Sequence, residues 1–383
     1  MPQFLVVKVN PNILKWAREQ CGLTYQQAVG SYLNAEKLKN VENGKEFLTF
    51  NQLVNLSRKY GRNSAFFYLE KIPEEDLLED FRTLDSSTIR FNPKLIRMIY
   101  SIKDKRELCV EFQDYDQKYD YSYVNSISLT DNIITTAEKI NKLLNINFKI
   151  RQKWKDKYSA LKGWKKKIED NGVLIFELSR IEISEMRAFS ISETPYPVIG
   201  LNRGDQVFGR IFSLIHEFCH IMLKKGGICT YAKNDEEYFE IERFCNAVTG
   251  EVLVPTAILN SHKIVKNRSS LEEWDESDIR VLSKLFWVSS EVIVRRLSDS
   301  NLITKRFYQR FVNMLRSRPL PRRSGGGEKG YELVLRKNSP NFIKIVLNAL
   351  NEKKVLLTDT SYYLNTKLKH LNNIKNNFRK LYG

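Results

Sequence analysis

Two histidines and a glutamate stand together in the segment His216-Glu217-Phe218-Cys219-His220. Residues four apart lie on one face of an α-helix, so the two imidazoles would project side by side and could share a metal ion. Glu217 lies one step round that helix and could reach the position where water would bind. The pattern predicts metal-dependent hydrolysis of peptide bonds, with zinc as the metal and Glu217 as the general base.

The flanks of this motif predict a buried helix. They are apolar on both sides: Ile211, Phe212, Leu214 and Ile215 before it, and Ile221, Met222 and Leu223 after it. A buried carboxylate is costly without a partner, and a metal site explains its presence. The alternative is a pair of core histidines with Glu217 as a salt-bridge partner. Because the chain has only four histidines, this spacing favours the metal site.

The third metal ligand must come from elsewhere in the chain. A metzincin would need Gly and His at the positions of Leu223 and Gly226, so that subclass is excluded. A carboxylate from the next predicted helix, residues 235–252, is the natural choice. The candidates there are Glu236, Glu237, Glu240 and Glu242.

Among these candidates we choose Glu242, because it borders the apolar stripe of its helix and shares a face with Asn246. Glu240 is the second choice and Glu237 stays open. A His/His/Glu site also accepts manganese, cobalt or iron, so the native metal is not settled by the residues.

Three of the five cysteines, Cys219, Cys229 and Cys245, fall near the predicted site. Cys219 follows His216 by three residues and could crowd the same metal, so a mixed His/Cys zinc site is an alternative. Small buried thiols are the simpler interpretation. The odd, scattered set predicts no disulfide framework, which favours a reducing cytoplasm.

The length of 383 residues suggests two or three domains, and the composition is that of a globular protein. No apolar run approaches the roughly 18 residues of a membrane helix, and the N-terminus does not read as a signal peptide. A net charge of +17 would attract polyanions, including nucleic acid. A solvated basic surface is the alternative.

Four short helices are predicted over residues 11–61, begun by Pro11, Thr24, Asn34 and Thr49, with the second helix running through Leu33. They suggest a helix-turn-helix bundle whose two reading helices lie between Thr24 and Gly44. Its candidate contacts to DNA or to a partner protein are Gln26, Gln27, Lys37 and Lys39. The second reading helix is weakly basic and carries Glu36 and Glu42, which disfavours direct sequence-specific DNA binding.

Short segments rich in β-forming residues follow residue 171. Three strands are predicted, at Gly172–Glu177, Arg187–Ile191 and Tyr196–Leu201, before a long helix at 205–224. Residues 276–316 return to helices, with Ser289-Ser290 as a cap. The predicted fold class is therefore α+β, predominantly helical, with a helix-turn-helix bundle, a central zincin-like domain and a helical C-terminal region.

The predicted domain boundaries follow from these elements. They are a helix-turn-helix domain at 1–72, a connector at 73–130, the metallopeptidase domain at 131–316, a basic Pro/Gly linker at 317–330 and a small basic domain at 331–383.

The stretch Gly172–Pro255 resembles the ImmA/IrrE family of metallopeptidases. The matching motifs are Pro197–Asn202, Arg210–His220 and Glu242–Pro255. The family places its ligand glutamate four residues before an asparagine, which supports Glu242. Residues 11–85 are similar to the Cro-repressor-like helix-turn-helix often fused to these peptidases, and Asp80-Phe81-Arg82 resembles a motif that follows it. Thr249 and Val41 depart from the family's usual alanine and tryptophan.

The resemblance implies a narrow substrate: one or a few regulatory proteins, typically a DNA-bound repressor or an antitoxin, that the peptidase cleaves. Candidates for stabilising the transition state are Tyr231, Tyr238 and Arg210.

The alternative is a DNA-binding transcriptional regulator whose zincin domain is a sensor or binding module. In a third interpretation, residues 11–61 recruit a protein substrate. No membrane partner is expected.

Overall fold

The computed structural model describes residues 6–62, 64–71, 93–113, 119–225, 236–267, 274–318 and 330–382. Its contacts divide the chain into two compact units, Met1–Leu108 and Cys109–Gly383. Among the helices in those ranges, none is long and apolar enough to cross a membrane. The predicted motif lies in the second unit.

The first unit contains four short helices where the sequence predicts them: α1 (Pro11–Gln20), α2 (Tyr25–Ala28), α3 (Ala35–Glu42) and α4 (Phe50–Tyr60). Thr24, Asn34 and Thr49 are their N-caps, and each side chain accepts a backbone N–H of its helix. The second helix ends at Ala28, before the predicted Leu33, because Val29 takes extended backbone. The helix-turn-helix assignment stays a prediction.

A short ribbon and a buried ion pair complete the first unit. Strand β1 (Val6–Val7) pairs antiparallel with β2 (Leu48–Thr49). Arg18 donates to both oxygens of Glu42, at 2.8 and 2.9 Å, and both side chains are buried. Glu42, one of the two glutamates that disfavour DNA binding in the sequence analysis, is therefore buried, and its charge is compensated inside the unit.

The second unit is built on three strands, β3 (Leu174–Leu178), β4 (Ala188–Ile191) and β5 (Val198–Asn202), as the sequence predicts. Their order is β3-β5-β4, with β3 parallel and β4 antiparallel to β5. Asn202 joins the sheet to the loop before β4, because its side-chain amide donates to the carbonyls of Ile181 and Met186.

Eleven helices that lie wholly or partly in the second unit precede residue 319 in the described ranges. The first, α5 (Pro93–Glu111), spans the division between the units. The others are α6 (Ile133–Leu143), α7 (Phe148–Arg151), α8 (Lys157–Glu169), α9 (Val207–Leu223), α10 (Glu236–Leu253), α11 (Thr256–Ser261), α12 (Lys263–Lys266), α13 (Glu276–Phe286), α14 (Ser290–Asp299, capped by Ser289) and α15 (Lys305–Ser317).

Helices cover the first face of the sheet. Side chains alternate along a strand, so Ile175, Ile199 and Ala188 point to the same face. They share one hydrophobic core with α9, which also packs against α8, α10 and β4. This layer places the predicted motif directly on the sheet.

The opposite face of the sheet carries Phe176, Gly200 and Phe189, which are aligned across the three strands. The C-terminal helices are α16 (Gly330–Lys337), α17 (Pro340–Asn351), α18 (Leu357–Tyr363) and α19 (Leu371–Tyr382). Both α16 and α17 contact β3, and the ring of Phe342 lies 5.7 Å from that of Phe176. Residues 330–382 therefore pack as a layer of the second unit.

The fold is α+β and predominantly helical, as predicted. The predicted domain boundaries stay predictions, because much of the connector 73–130 and most of the linker 317–330 fall outside the described residues. The segment Asp80-Phe81-Arg82 also falls outside them.

Candidate active site

The helix α9 holds His216, Glu217 and His220 in the interior of the second unit. Their exposed fractions are 6%, 1% and 3%, so all three polar side chains are removed from bulk solvent. The Nε2 atoms of the two histidines lie 3.0 Å apart, on one face of the helix. Burial of three ionisable groups on an apolar helix requires a compensating partner.

The neighbouring helix α10 brings a carboxylate to these histidines. Glu242 Oε2 lies 3.3 Å from His216 Nε2, and Oε1 lies 3.2 Å from His220 Nε2. The other glutamates considered from the sequence, Glu236, Glu237 and Glu240, are exposed. Glu237 pairs with Lys225 at 3.0 Å. The structure thus brings Glu242, the first choice from the sequence, to the two histidines.

The three donor groups have the dimensions of a metal site. Ligands about 2.0–2.1 Å from a tetrahedral zinc ion lie about 3.3 Å from one another. The observed separations of 3.0, 3.2 and 3.3 Å are close to that value. Within the described ranges, these three residues form the group that could hold a metal ion. Two imidazoles and one carboxylate suit a divalent cation.

A hydrogen bond orients one of the ligands. His220 Nδ1 lies 3.2 Å from the backbone carbonyl of Lys225, just beyond the end of α9. When the ring is neutral, a proton on Nδ1 leaves the lone pair of Nε2 available to a metal ion. Contacts of this kind hold the ring and the tautomer that a metal requires.

The electrostatics of the three groups indicate a site that attracts cations. Burial raises the pKa of Glu242, but hydrogen bonds from His216 and His220 outweigh it and hold that pKa well below its usual range. Burial lowers the pKa of His220, but Glu242 and Glu217 raise it to about 9. The cluster therefore stabilises positive charge between the ligands, which a proton or a metal ion can supply.

Glu217 is held by a residue that the sequence analysis did not identify. Ser190 Oγ, on β4, donates to Glu217 Oε2 at 2.8 Å, and both groups are buried. Burial raises the pKa of Glu217, while His220, His216 and Ser190 act in the opposite direction. The available signal was a lone serine at an inward position of an apolar strand, which strand periodicity could have revealed.

The three residues that the sequence suggested for stabilising the transition state do not form one cluster beside His216, His220 and Glu242 in the described part of the chain. Arg210, six residues before His216, pairs with Glu177 of β3 at 3.4 Å. Tyr238 lies in the first turn of α10, with its ring 6.0 Å from that of Phe239. Tyr231 lies outside the described residues.

The cysteines near the site are buried thiols. Cys219 and Cys245 are free and buried, and neither joins the group that could hold a metal. Cys229 lies outside the described residues. The described cysteines therefore fit the simpler interpretation made from the sequence.

The candidate contacts of the first unit lie on two helices. Gln26 and Gln27 are exposed on α2, and Gln27 also accepts the backbone N–H of Thr24, which closes a capping box. Lys37 is half-buried and Lys39 is exposed on α3. This placement is compatible with contact to a partner and does not identify it.

Residues 168–298 match the family model Peptidase_M78, described as the IrrE N-terminal-like domain. The match includes the sheet, α9 and α10, and hence His216, Glu217, His220 and Glu242. It supports a metallopeptidase of the ImmA/IrrE type for this segment and covers less than half of the chain. Neither the curated proteins nor the solved structures contain a match.

Proposed function

We propose that the protein is a zinc-dependent endopeptidase. The observation that carries this proposal is the convergence of His216, His220 and Glu242 from two helices, with their donor atoms 3.0 to 3.3 Å apart. The match of residues 168–298 to a metallopeptidase family supports it independently. Zinc is preferred because two imidazoles and one carboxylate leave a fourth tetrahedral position open.

The roles of the residues follow from their chemistry. His216, His220 and Glu242 would hold the ion, which when bound supplies Lewis acidity that polarises a peptide carbonyl and acidifies water. Glu217 accepts the proton of the attacking water and delivers it to the departing amine. Its burial strengthens it as a base, since burial raises the pKa of this carboxyl.

The proposed substrate is one specific regulatory protein, a repressor or an antitoxin. This part of the proposal is supported by the resemblance to the ImmA/IrrE family and by the family match. Clipping one such protein would change gene expression without general proteolysis.

Metal content is the first test of the proposed function. Elemental mass spectrometry of the purified protein should find about one equivalent of zinc. His216→Ala and Glu242→Ala should each lose it, because two protein ligands bind zinc much more weakly than three. His370→Ala is the matched control: His370 lies in the 3-10 turn Leu368–His370, between α18 and α19, and its replacement should leave the zinc content unchanged. A folded wild-type protein without metal would refute the proposal.

Peptidase action is tested by comparing wild type with Glu217→Gln in a lysate of the source cells. Mass spectrometry of new protein N-termini should find a small set with the wild type and none with Glu217→Gln. The variant should keep its zinc, because Glu217 is not one of the three ligands. New termini that are identical in both samples would exclude Glu217 as the base.

A DNA-binding regulator is the second candidate function. It is favoured by one observation, namely that Glu42 is buried against Arg18 and so does not oppose phosphate at the surface of α3. If the protein is such a regulator, the lysates treated with wild type and with Glu217→Gln would contain the same protein N-termini. The same comparison of wild type with Glu217→Gln therefore separates the two functions.

A further inference from the structure

The contact between Ser190 and Glu217 joins the edge strand β4 to the helix that carries the metal-binding motif. Ser190 Oγ lies 2.8 Å from Glu217 Oε2, and the exposed fractions of the two residues are 2% and 1%. Among the side chains that the structure describes, Ser190 is the one that hydrogen-bonds this carboxylate. A bond from a hydroxyl to a buried carboxylate is strong and directional.

Strand register explains why a serine stands at this point. Ser190 pairs with Ile199 of β5, so it shares the face of the sheet that packs on α9. Its neighbours on β4, Phe189 and Ile191, point to the opposite face. A serine has room between strand and helix, and its hydroxyl satisfies one oxygen of the carboxylate in an apolar layer.

We propose that Ser190 is a positioning residue for Glu217, an inference that rests on the proposed function. Its hydroxyl holds Oε2 against the strand and so fixes the orientation of the carboxylate, while Oε1 makes no hydrogen bond to a described side chain. Glu217 therefore accepts a proton at Oε1 from an acidic molecule that binds in the site. Without that bond the carboxylate would rotate about its terminal torsion, which has broad minima, and would meet the proton less often in a productive orientation.

The test uses the full chain loaded with cobalt(II), whose visible absorption reports the binding of small ligands. Acetohydroxamic acid is the first probe, because it binds a metal as its anion and must give its N–O–H proton to a nearby base. Azide is the second probe, because it already binds as an anion and transfers no proton. The ratio of the two dissociation constants therefore isolates the function of Glu217 from the integrity of the site.

Ser190→Ala should weaken acetohydroxamate binding several-fold, because a carboxylate that rotates meets the proton of the bound acid less often in a productive orientation, with azide binding unchanged. Ser190→Thr should restore most of the affinity, because it keeps the hydroxyl. Ser192→Ala is the matched control: Ser192 is also buried, two residues further on, and its hydroxyl has no hydrogen-bond partner among the described residues. It should bind both probes like the wild type.

The outcomes separate this proposal from the proposed function. Equal acetohydroxamate binding by Glu217→Gln and wild type, or failure to load cobalt, would overturn both. Weaker binding by Glu217→Gln but unchanged binding by Ser190→Ala would overturn only the role of Ser190. Equal loss of azide and acetohydroxamate affinity in Ser190→Ala would show that the serine serves the packing of the site, which also overturns it.

Discussion

Glu169 shows how one buried carboxyl can make the stability of the second unit depend on pH. It ends α8, and burial raises its pKa to about 7 despite the opposing charge of Lys165. The folded pKa exceeds the unfolded value of 4.5. Its stabilising contribution is therefore complete below pH 4.5 and is lost as the pH rises through about 7.

Glu169→Gln should remove this dependence, because an amide stays neutral at every pH. We expect the variant and the wild type to have similar free energies of unfolding near pH 4.5. At pH 8 the variant should be more stable by about 1–3 kcal/mol. Urea denaturation across this range measures the difference. Glu138→Gln, at an exposed site on α6, is the control. The prediction would be contradicted if the difference in free energy of unfolding between Glu169→Gln and the wild type did not change with pH.

At the scale of elements, one arginine joins three helices of the second unit. Arg151, at the end of α7, is fully buried and donates to the carbonyls of Val252, Leu253 and Phe286. These carbonyls end α10 and α13, where helices leave their last C=O groups without partners in the helix. The guanidinium thus fixes the end of the helix that also carries Glu242.

Arg151→Met should destabilise the second unit by about 3–5 kcal/mol, because it leaves buried carbonyls without donors. Lys149→Met, on the same short helix but exposed, should change stability by less than about 0.5 kcal/mol. Urea denaturation provides both values. If the variants lost equal stability, Arg151 would not be acting as a cap for these helix ends.

At the scale of the whole chain, residues 330–382 serve as a structural layer of the second unit. They cover the sheet face opposite α9, with Phe342 against Phe176 and with Asn341 Nδ2 donating to the Glu169 carbonyl at 2.8 Å. Gly200 lies on this face, and a Cβ atom there would come within 2.0 Å of the Phe189 ring. The C-terminal helices and the metal-binding motif therefore depend on the same sheet.

Phe342→Ala should lower the free energy of unfolding of the second unit by about 3–5 kcal/mol, the usual cost of removing a buried phenyl ring. Cobalt absorption at the metal site and circular dichroism should report one shared transition at a lower midpoint. Tyr362→Ala, at an exposed site on α18, should leave that midpoint nearly unchanged. If circular dichroism showed helix loss at a lower midpoint than the loss of cobalt absorption, the C-terminal segment would instead unfold separately.

The local features of this protein could be predicted from its amino-acid sequence. Spacing alone placed His216, Glu217 and His220 on one helix, because helical geometry relates residues four apart. Capping residues located the short helices of the first unit, and β-forming runs located the three strands, because both signals are local. The choice among four glutamates also relied on a local signal, the apolar stripe of α10.

Contacts between distant segments of the chain could not be predicted in this way, and they appear only in the folded protein. Ser190 meets Glu217 only because β4 pairs with β5 and packs on α9, and Glu42 is buried only because Arg18 reaches it from another helix. The sequence predicts a separate basic domain at the C-terminus. In the structure the C-terminal helices pack on the sheet, where Phe342 contacts Phe176. Such pairings depend on strand order and on which faces meet, which the periodicity of a single segment does not contain.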